Sequence, residues 1–247
     1  MDRLLYIAMN GARNAQFGQQ VVANNLANAS TVGFKAQIEH FQSEPVYGPG
    51  HPARAYASER ISGADLVSGP IMTTGRDLDV AINGEGWMEV QAADGSIAYS
   101  RRGDLRIDAS GLLTNGAGQP VMGEGGPVTL PEFESLVIGR DGSISIRASG
   151  QAASTLVTID RLRLVKPDAD NLQRGEDGLF RTRDGSQPEP DASVTLTSGA
   201  LEGSNVNSVD AMVQMMEYAR FYETQVKLMS LANENDAASS RLMRLSG

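Results

Sequence analysis

Cysteine is absent from the 247 residues, which excludes disulfides, thiolate metal sites and thiol nucleophiles. Histidine is scarce: His40 and His51 are the only two, and neither belongs to an H-E-x-x-H or Cys/His metal pattern. Aromatics make up 5% of the chain, with a single Trp. Long apolar runs are missing too. The longest, Leu4 to Met9, falls far short of the roughly 18–20 residues that span a bilayer, so membrane insertion is not expected. No basic stretch leads into an apolar segment and a small-residue cleavage site, which argues against a cleaved secretory signal. Positive charge is in deficit, with 21 Lys+Arg against 30 Asp+Glu and a formal net charge of −9. Such a chain repels a phosphate backbone, so nucleic acid is not expected as a partner.

What is present divides the chain into ends and a middle. Residues 2–30 carry no Pro, and a stripe runs Leu5, Ala8, Ala12, Ala15, Gln19, Val22, Leu26. Its alternating spacing of three and four is the seam of a coiled-coil helix. Most of its members are small, which permits close approach of a second helix. Gly33 is placed to be the left-handed residue that closes this element. The C-terminal end repeats the design, with Asn207 or Ser208 as a cap and Asp210 in the first turn. There the stripe runs Val209, Met212, Met216, Ala219, Tyr222, Val226, Met229, Asn233, Ala237, Ser240. At about 1.5 Å per residue, each terminal helix reaches roughly 40–55 Å.

The middle reads as β. Asn83-Gly84, Asp94-Gly95, Asn115-Gly116, Asp141-Gly142, Asp177-Gly178 and Asp184-Gly185 are turn signals. Short apolar or alternating runs lie between them, among them Leu78–Ile82, Trp87–Val90, Leu136–Ile138 and Leu156–Val165. Many short strands without crossover helices point to an antiparallel sandwich or barrel-like body. The expected fold class is α+β: long N- and C-terminal helices packed as a coiled-coil-like pair, with an antiparallel all-β domain inserted. The expected boundaries are 1–35 for the first helix, 36–62 for an extended Pro- and Gly-containing connection, 63–204 for the β domain and 205–247 for the second helix.

Chemistry is sparse. Gly123-Glu124-Gly125-Gly126 precedes Pro127 and a strand, not a helix, so it does not cradle phosphate. Asp77 and Asp79 form a carboxylate pair on one strand face in principle suited to acid–base work, although turn capping, or pairing with Arg76 and Arg101/Arg102, accounts for them more simply. Asp168-Ala169-Asp170-Asn171 lacks the Gly and terminal Glu of a calcium loop. No catalytic residue, metal or cofactor is expected. Trp87 suggests a carbohydrate- or peptidoglycan-binding alternative, with the indole as stacking platform, but its place at a strand start favours burial under a sheet.

The informative segment is Ala23–Lys35. Asn24, Asn25 and Asn28 put three Asn into five residues, unusual in a helix because Asn competes for backbone hydrogen bonds. They read either as local capping or as buried amides that set register at a helix–helix interface. At these residues, A-N-N-L-A-N-x-S-T-x-G-F, the chain resembles bacterial flagellar rod and hook proteins, the axial family. Asp77–Trp87, Tyr99–Asp104, Leu112–Thr114 and Leu201–Asn207 extend the resemblance over essentially the whole chain. Gly86-Trp87-Met88, Arg163–Lys166, Gly199–Asn205 and the short 36–62 segment are more similar to the proximal-rod type than to the distal-rod type.

The resemblance implies a non-enzymatic subunit that assembles through its terminal helices into the rod of the basal body, transmitting torque and enclosing the export channel. It implies export through the flagellar type III apparatus into the periplasmic space without a cleaved signal. The implied partners are further copies of the chain, the other proximal and distal rod proteins, and the export apparatus. The expected assembly residues are Leu5, Ala8, Ala12, Ala15, Val22, Asn24, Asn25, Leu26, Asn28, Gly33, Phe34, Asn205, Asn207, Met212, Met216, Ala219, Tyr222, Val226, Met229 and Asn233.

Overall fold

The structure, a computed structural model, describes residues 2–45, 55–148 and 156–245; His51 and the 48–52 stretch of the expected connection lie outside them. The chain forms two compact units, one of residues 1–27, 37–62 and 207–247 and the other of residues 28–36 and 63–206.

In the first unit, helix α1 spans Asp2–Ala27 and helix α2 spans Ser208–Leu245, 26 and 38 residues long. Asn207 caps α2: its side-chain oxygen accepts the backbone N–H groups of Val209 and Asp210 at 3.0 and 3.5 Å, two donors that the helix start leaves without partners. The helices pack through small residues. Ala8, Ala12, Ala15, Val21 and Val22 of α1 are buried, as are Ala211 and Ala232 of α2. At Gly18 an added methyl group would lie 2.6 Å from the Tyr218 ring, and at Gly11 2.9 Å from the Gln225 side chain. The inward face of α2 therefore runs through Ala211, Tyr218, Gln225 and Ala232, one position off the stripe read from the sequence.

The segment read as an extended connection carries two paired strands, Gln37–Pro45 and Ala55–Ala64. Pro45 is the last residue of the first strand, which belongs to a two-stranded sheet and is therefore an edge strand, where a missing N–H is tolerated. Asn25 is bonded to the start of that strand. Its Nδ2 donates to the Gln37 carbonyl at 2.9 Å and its Oδ1 accepts the Gln37 N–H at 2.8 Å, replacing a strand partner. Tyr218 also donates its hydroxyl to Glu39.

The second unit is mainly antiparallel β. Its five-stranded sheet has the spatial order Leu164–Val165, Trp87–Gln91, Ile97–Ser100, Phe180–Thr182, Leu172–Arg174. Alternation along Trp87–Gln91 sorts side chains to two faces. Met88 and Val90, with Ala98 opposite Val90, enter a large core that includes Ile82, Leu105, Leu113, Val121, Ile144, Leu162 and Leu196. Trp87 and Tyr99 enter a smaller core with Val165, Leu172 and Phe180. Glu89 pairs with Tyr99 across the strands. Burial pushes the Glu89 carboxyl up against the pull of Arg163, and burial with that neighbouring carboxyl pushes Tyr99 up to about 12.

The run Leu156–Val165, read as one strand, is two. Val157–Arg161 is an edge of a three-stranded sheet with Phe133–Ile138 and Ser143–Ala148, whereas Leu164–Val165 joins the five-stranded sheet. Between them Leu162 and Arg163 donate to the carbonyls of Gly142 and Met122 at 2.8 and 2.9 Å, which turns the chain from one sheet to the other. Turns share a device: the carboxylates of Asp94, Asp108, Asp141, Asp184 and Asp191 each accept the backbone N–H of the Ser two residues on, an Asx turn.

Candidate assembly surfaces and the joint between distant chain segments

The expected assembly residues fall into three environments. Ala8, Ala12, Ala15 and Val22 are buried on the inward face of α1, with Leu5 and Leu26 half-buried and Asn24 exposed. On α2, Met212, Met216, Tyr222, Val226 and Asn233 are exposed, and Ala219 and Met229 are half-buried. Val209, Val213, Phe221 and Leu231 are exposed as well, and so are Leu4, Tyr6, Ile7 and Met9 at the start of α1. Singly exposed apolar side chains are ordinary, whereas these follow one another along one helix.

The third environment is a joint in the second unit where residues 28–36 meet 202–205. Helix α1 ends at Ala27, so Gly33 does not close its last turn as expected. Thr31 instead donates its N–H to the Asn28 carbonyl and its hydroxyl to the Asn28 side chain, a local turn that competes with helix continuation. Gly33 is left-handed, at φ +67°, and donates its N–H to the Glu202 carbonyl at 2.8 Å. Phe34 is buried beneath the Arg174 guanidinium, 4.5 Å from its ring centre. Asn205 ties three backbone segments together: its Oδ1 accepts the Ala36 N–H at 2.7 Å, and its Nδ2 donates to the carbonyls of Asp65 and Val67 at 2.9 and 3.1 Å.

At the centre lie Lys35 and Glu202, which sequence reasoning did not single out, with Arg101, which pairs with Glu202 and not with Asp77 or Asp79 as expected. Lys35 Nζ is 2.7 Å from Glu202 Oε1 and donates to the Val67 carbonyl at 2.8 Å. Glu202 Oε1 also accepts the Gly69 N–H at 2.9 Å. Arg101 Nε lies 2.8 Å from Glu202 Oε2, an ion-pair contact without a well-aimed hydrogen bond. Its Nη2 donates to the carbonyls of Ile82 and Gly84 at 3.2 and 2.6 Å. All three side chains are at most 2% exposed. Burial pushes the Lys35 ammonium down, opposed by its hydrogen bond to Glu202, and Arg101 is lowered by burial in the same way. Arg101 and Glu202 sit inside motifs that carry the family resemblance and Lys35 directly follows one, but nothing in those motifs tells that the three meet.

Neither carboxylate catalysis nor glycan stacking fits the geometry. Asp77 is exposed, while buried Asp79 accepts the Thr74 hydroxyl at 2.7 Å and pairs with Arg76 at 3.2 Å. They do not share a face as a reactive pair. Trp87 is 4% exposed, its ring centre 4.5 Å from that of Phe180. An open cleft of about 700 Å³ runs beside it, but the cations on its wall are engaged, Arg101 as above and Lys166 by Glu85 at 3.0 Å. Among the described residues no group of three or more His, Asp or Glu is placed to hold a metal, and no helix is long and apolar enough to cross a membrane.

Long terminal helices, one with an exposed apolar row, and a β body whose buried charges pair with one another and not with a ligand describe a structural assembly subunit. Comparison with known proteins gives the family. Residues 5–35 match the flagella basal body rod protein family, 81–146 the flagellar hook protein FlgE/F/G D1 domain, and 197–242 the flagellar basal body rod FlgEFG protein C-terminal region. The chain is 41% identical over 252 aligned residues to the flagellar basal-body rod protein FlgF of Salmonella typhimurium, and also 41% identical to that of Escherichia coli, with both chains covered in full each time. It is 32% identical to the flagellar basal-body rod protein FlgG of Bacillus subtilis, over 95% of this chain and 96% of that one. The chain belongs to the flagellar basal-body rod protein family. It is a structural subunit of the rod in the flagellar basal body, and the family is not an enzyme family.

Proposed function

We propose that this subunit belongs to the proximal rod. The carrying observation is full-length identity of 41% to two FlgF proteins against 32% to a FlgG protein, and the short 36–62 segment favours the same assignment. In this reading the two terminal helices act as a coiled-coil-like pair that packs against equivalent pairs of neighbouring subunits. The exposed row Met212, Met216, Tyr222 and Val226 supports α2 as the contact helix, since its burial on assembly removes apolar surface from water. Head-to-tail contacts whose rotation does not close into a ring build open helical assemblies. The neighbours are copies of the chain and the adjoining rod proteins. The chain reaches the periplasmic span through the flagellar export apparatus, and the completed tube encloses the export channel.

The test has two arms. In a strain lacking its own FlgF, the wild-type gene is expected to restore motility, whereas in a strain lacking FlgG it is not. Met216→Glu and Val226→Glu are expected to leave the helical circular dichroism and melting of the purified chain unchanged while abolishing rod completion. Rescue of the FlgG-lacking strain alone would overturn the proximal assignment, and motile glutamate variants would overturn the role of α2.

A further inference from the structure

We propose that Lys35, Arg101 and Glu202 form an electrostatic latch that seats residues 28–36 on the β body only when residues 202–205 are also in place. The charge count is unequal: two buried cations share one buried carboxylate. Asp65, half-buried and farther away, adds only a weaker attraction for Lys35. Glu202 stands between the cations, taking Lys35 on one oxygen and Arg101 on the other at 2.7 and 2.8 Å. Take Glu202 away, and seating Lys35 brings an ammonium out of water beside a guanidinium that already repels it. The Val67 carbonyl is then its remaining close partner.

Removing one member of a buried pair strands the other charge, which is far costlier than never having had the pair. The same segments are stitched by backbone bonds, Gly33 N–H to the Glu202 carbonyl and Asn205 N–H to the Phe34 carbonyl at 2.8 and 3.4 Å. Lys35 and Glu202 are 167 positions apart, so no local contact substitutes for the missing carboxylate. As the chain is made from its N-terminus, residues 28–36 accordingly remain undocked until residue 202 has emerged.

The count predicts an asymmetry that simple packing does not. Lys35→Met leaves the neutral pair Glu202–Arg101, whereas Glu202→Gln leaves two unpaired cations. Amide exchange of the full chain, read by NMR, tests this at Gly33 and Ala36 with Leu113 and Val121 as core references. In Glu202→Gln, exchange at Gly33 and Ala36 is expected to rise on the order of 100-fold with the core references unchanged. In Lys35→Met the rise is expected to stay within about threefold, and Lys35→Met combined with Glu202→Gln is expected to exchange more slowly than Glu202→Gln alone. Equal effects of the two single variants, or no effect of Glu202→Gln, would overturn the latch. If Glu202→Gln also unprotects Leu113 and Val121, the double variant decides: recovered core protection supports the proposal and continued loss refutes it.

Discussion

Replacing Gly33 by Ala measures how tightly the joint is built. Two costs act at this position. Its φ of +67° penalises any L side chain by about 1–2 kcal/mol. The new methyl group would also lie 2.5 Å from the carbonyl carbon and oxygen of Arg101 and 2.7 Å from the Arg102 nitrogen. Those atoms are backbone and do not rotate away, so relief requires displacing the strand end that carries Arg101, adding about 1–3 kcal/mol. Gly95 provides the control. It has φ +82° with nothing within 4 Å of an added methyl group, so Gly95→Ala incurs the conformational term alone, about 1 kcal/mol. Urea unfolding followed through buried Trp87 gives the global cost, and amide exchange at Gly33 and Ala36 detects local release of the segment. Gly33→Ala is expected to cost about 3 kcal/mol globally, or to hold the midpoint while those two amides lose protection. A variant that loses no more than Gly95→Ala and keeps both amides protected would refute the close-approach argument.

Three further outcomes follow from the structure. Hydrogen bonds from Ser hydroxyls hold Asp94 and Asp141 below the usual carboxylate range, and the Ser186 backbone N–H and hydroxyl draw Asp184 down to about 2. Folded values below the unfolded value of about 3.9 mean that this stabilisation is complete above that pH and is lost as pH falls through the folded values. The β body is therefore expected to lose stability with proton uptake as pH falls from about 4 to 2, and an Asp184→Asn variant with an unchanged acid slope would contradict this. Asn25→Ala removes both bonds to Gln37 and is expected to weaken docking of that strand by about 1–3 kcal/mol in the free chain, visible as faster Gln37 amide exchange. Gly18→Leu is expected to lower the helical melting temperature through overlap with Tyr218, and Tyr218→Ala should restore part of the loss; no restoration would place the clash elsewhere.

Local physics made much of the architecture legible. The period of Ala8, Ala12, Ala15 and Val22 identifies the inward face of α1 because small apolar residues recur there at one spacing, with Arg13, Asn14 and Gln16 beside Ala12 and Ala15. Asn207 as the α2 cap and the turn at Asp94-Gly95 depend on residues within three positions of one another. Helix α2 shows where such reading stops. Val209, Ala211, Met212, Val213, Met215 and Met216 supply apolar side chains on several faces, so periodicity does not choose among them. The glycines of α1 choose instead, by leaving room opposite Tyr218 and Gln225. Asn25 likewise carried two readings until its amide was found facing the Gln37 backbone, 12 positions away.

The sequence by itself determined the class, with helical ends, an antiparallel β middle, and motifs in the order of a flagellar rod protein. Only the tertiary structure decided which charges meet. Lys35, Arg101 and Glu202 each look like an ordinary surface charge in their own segment. Their energetic weight comes from burial beside one another, and no local spacing encodes a contact between residues 167 positions apart. The split of Leu156–Val165 between two sheets has the same origin, since uniform β propensity along the run is overridden by the carbonyls of Gly142 and Met122 that the fold brings to its middle.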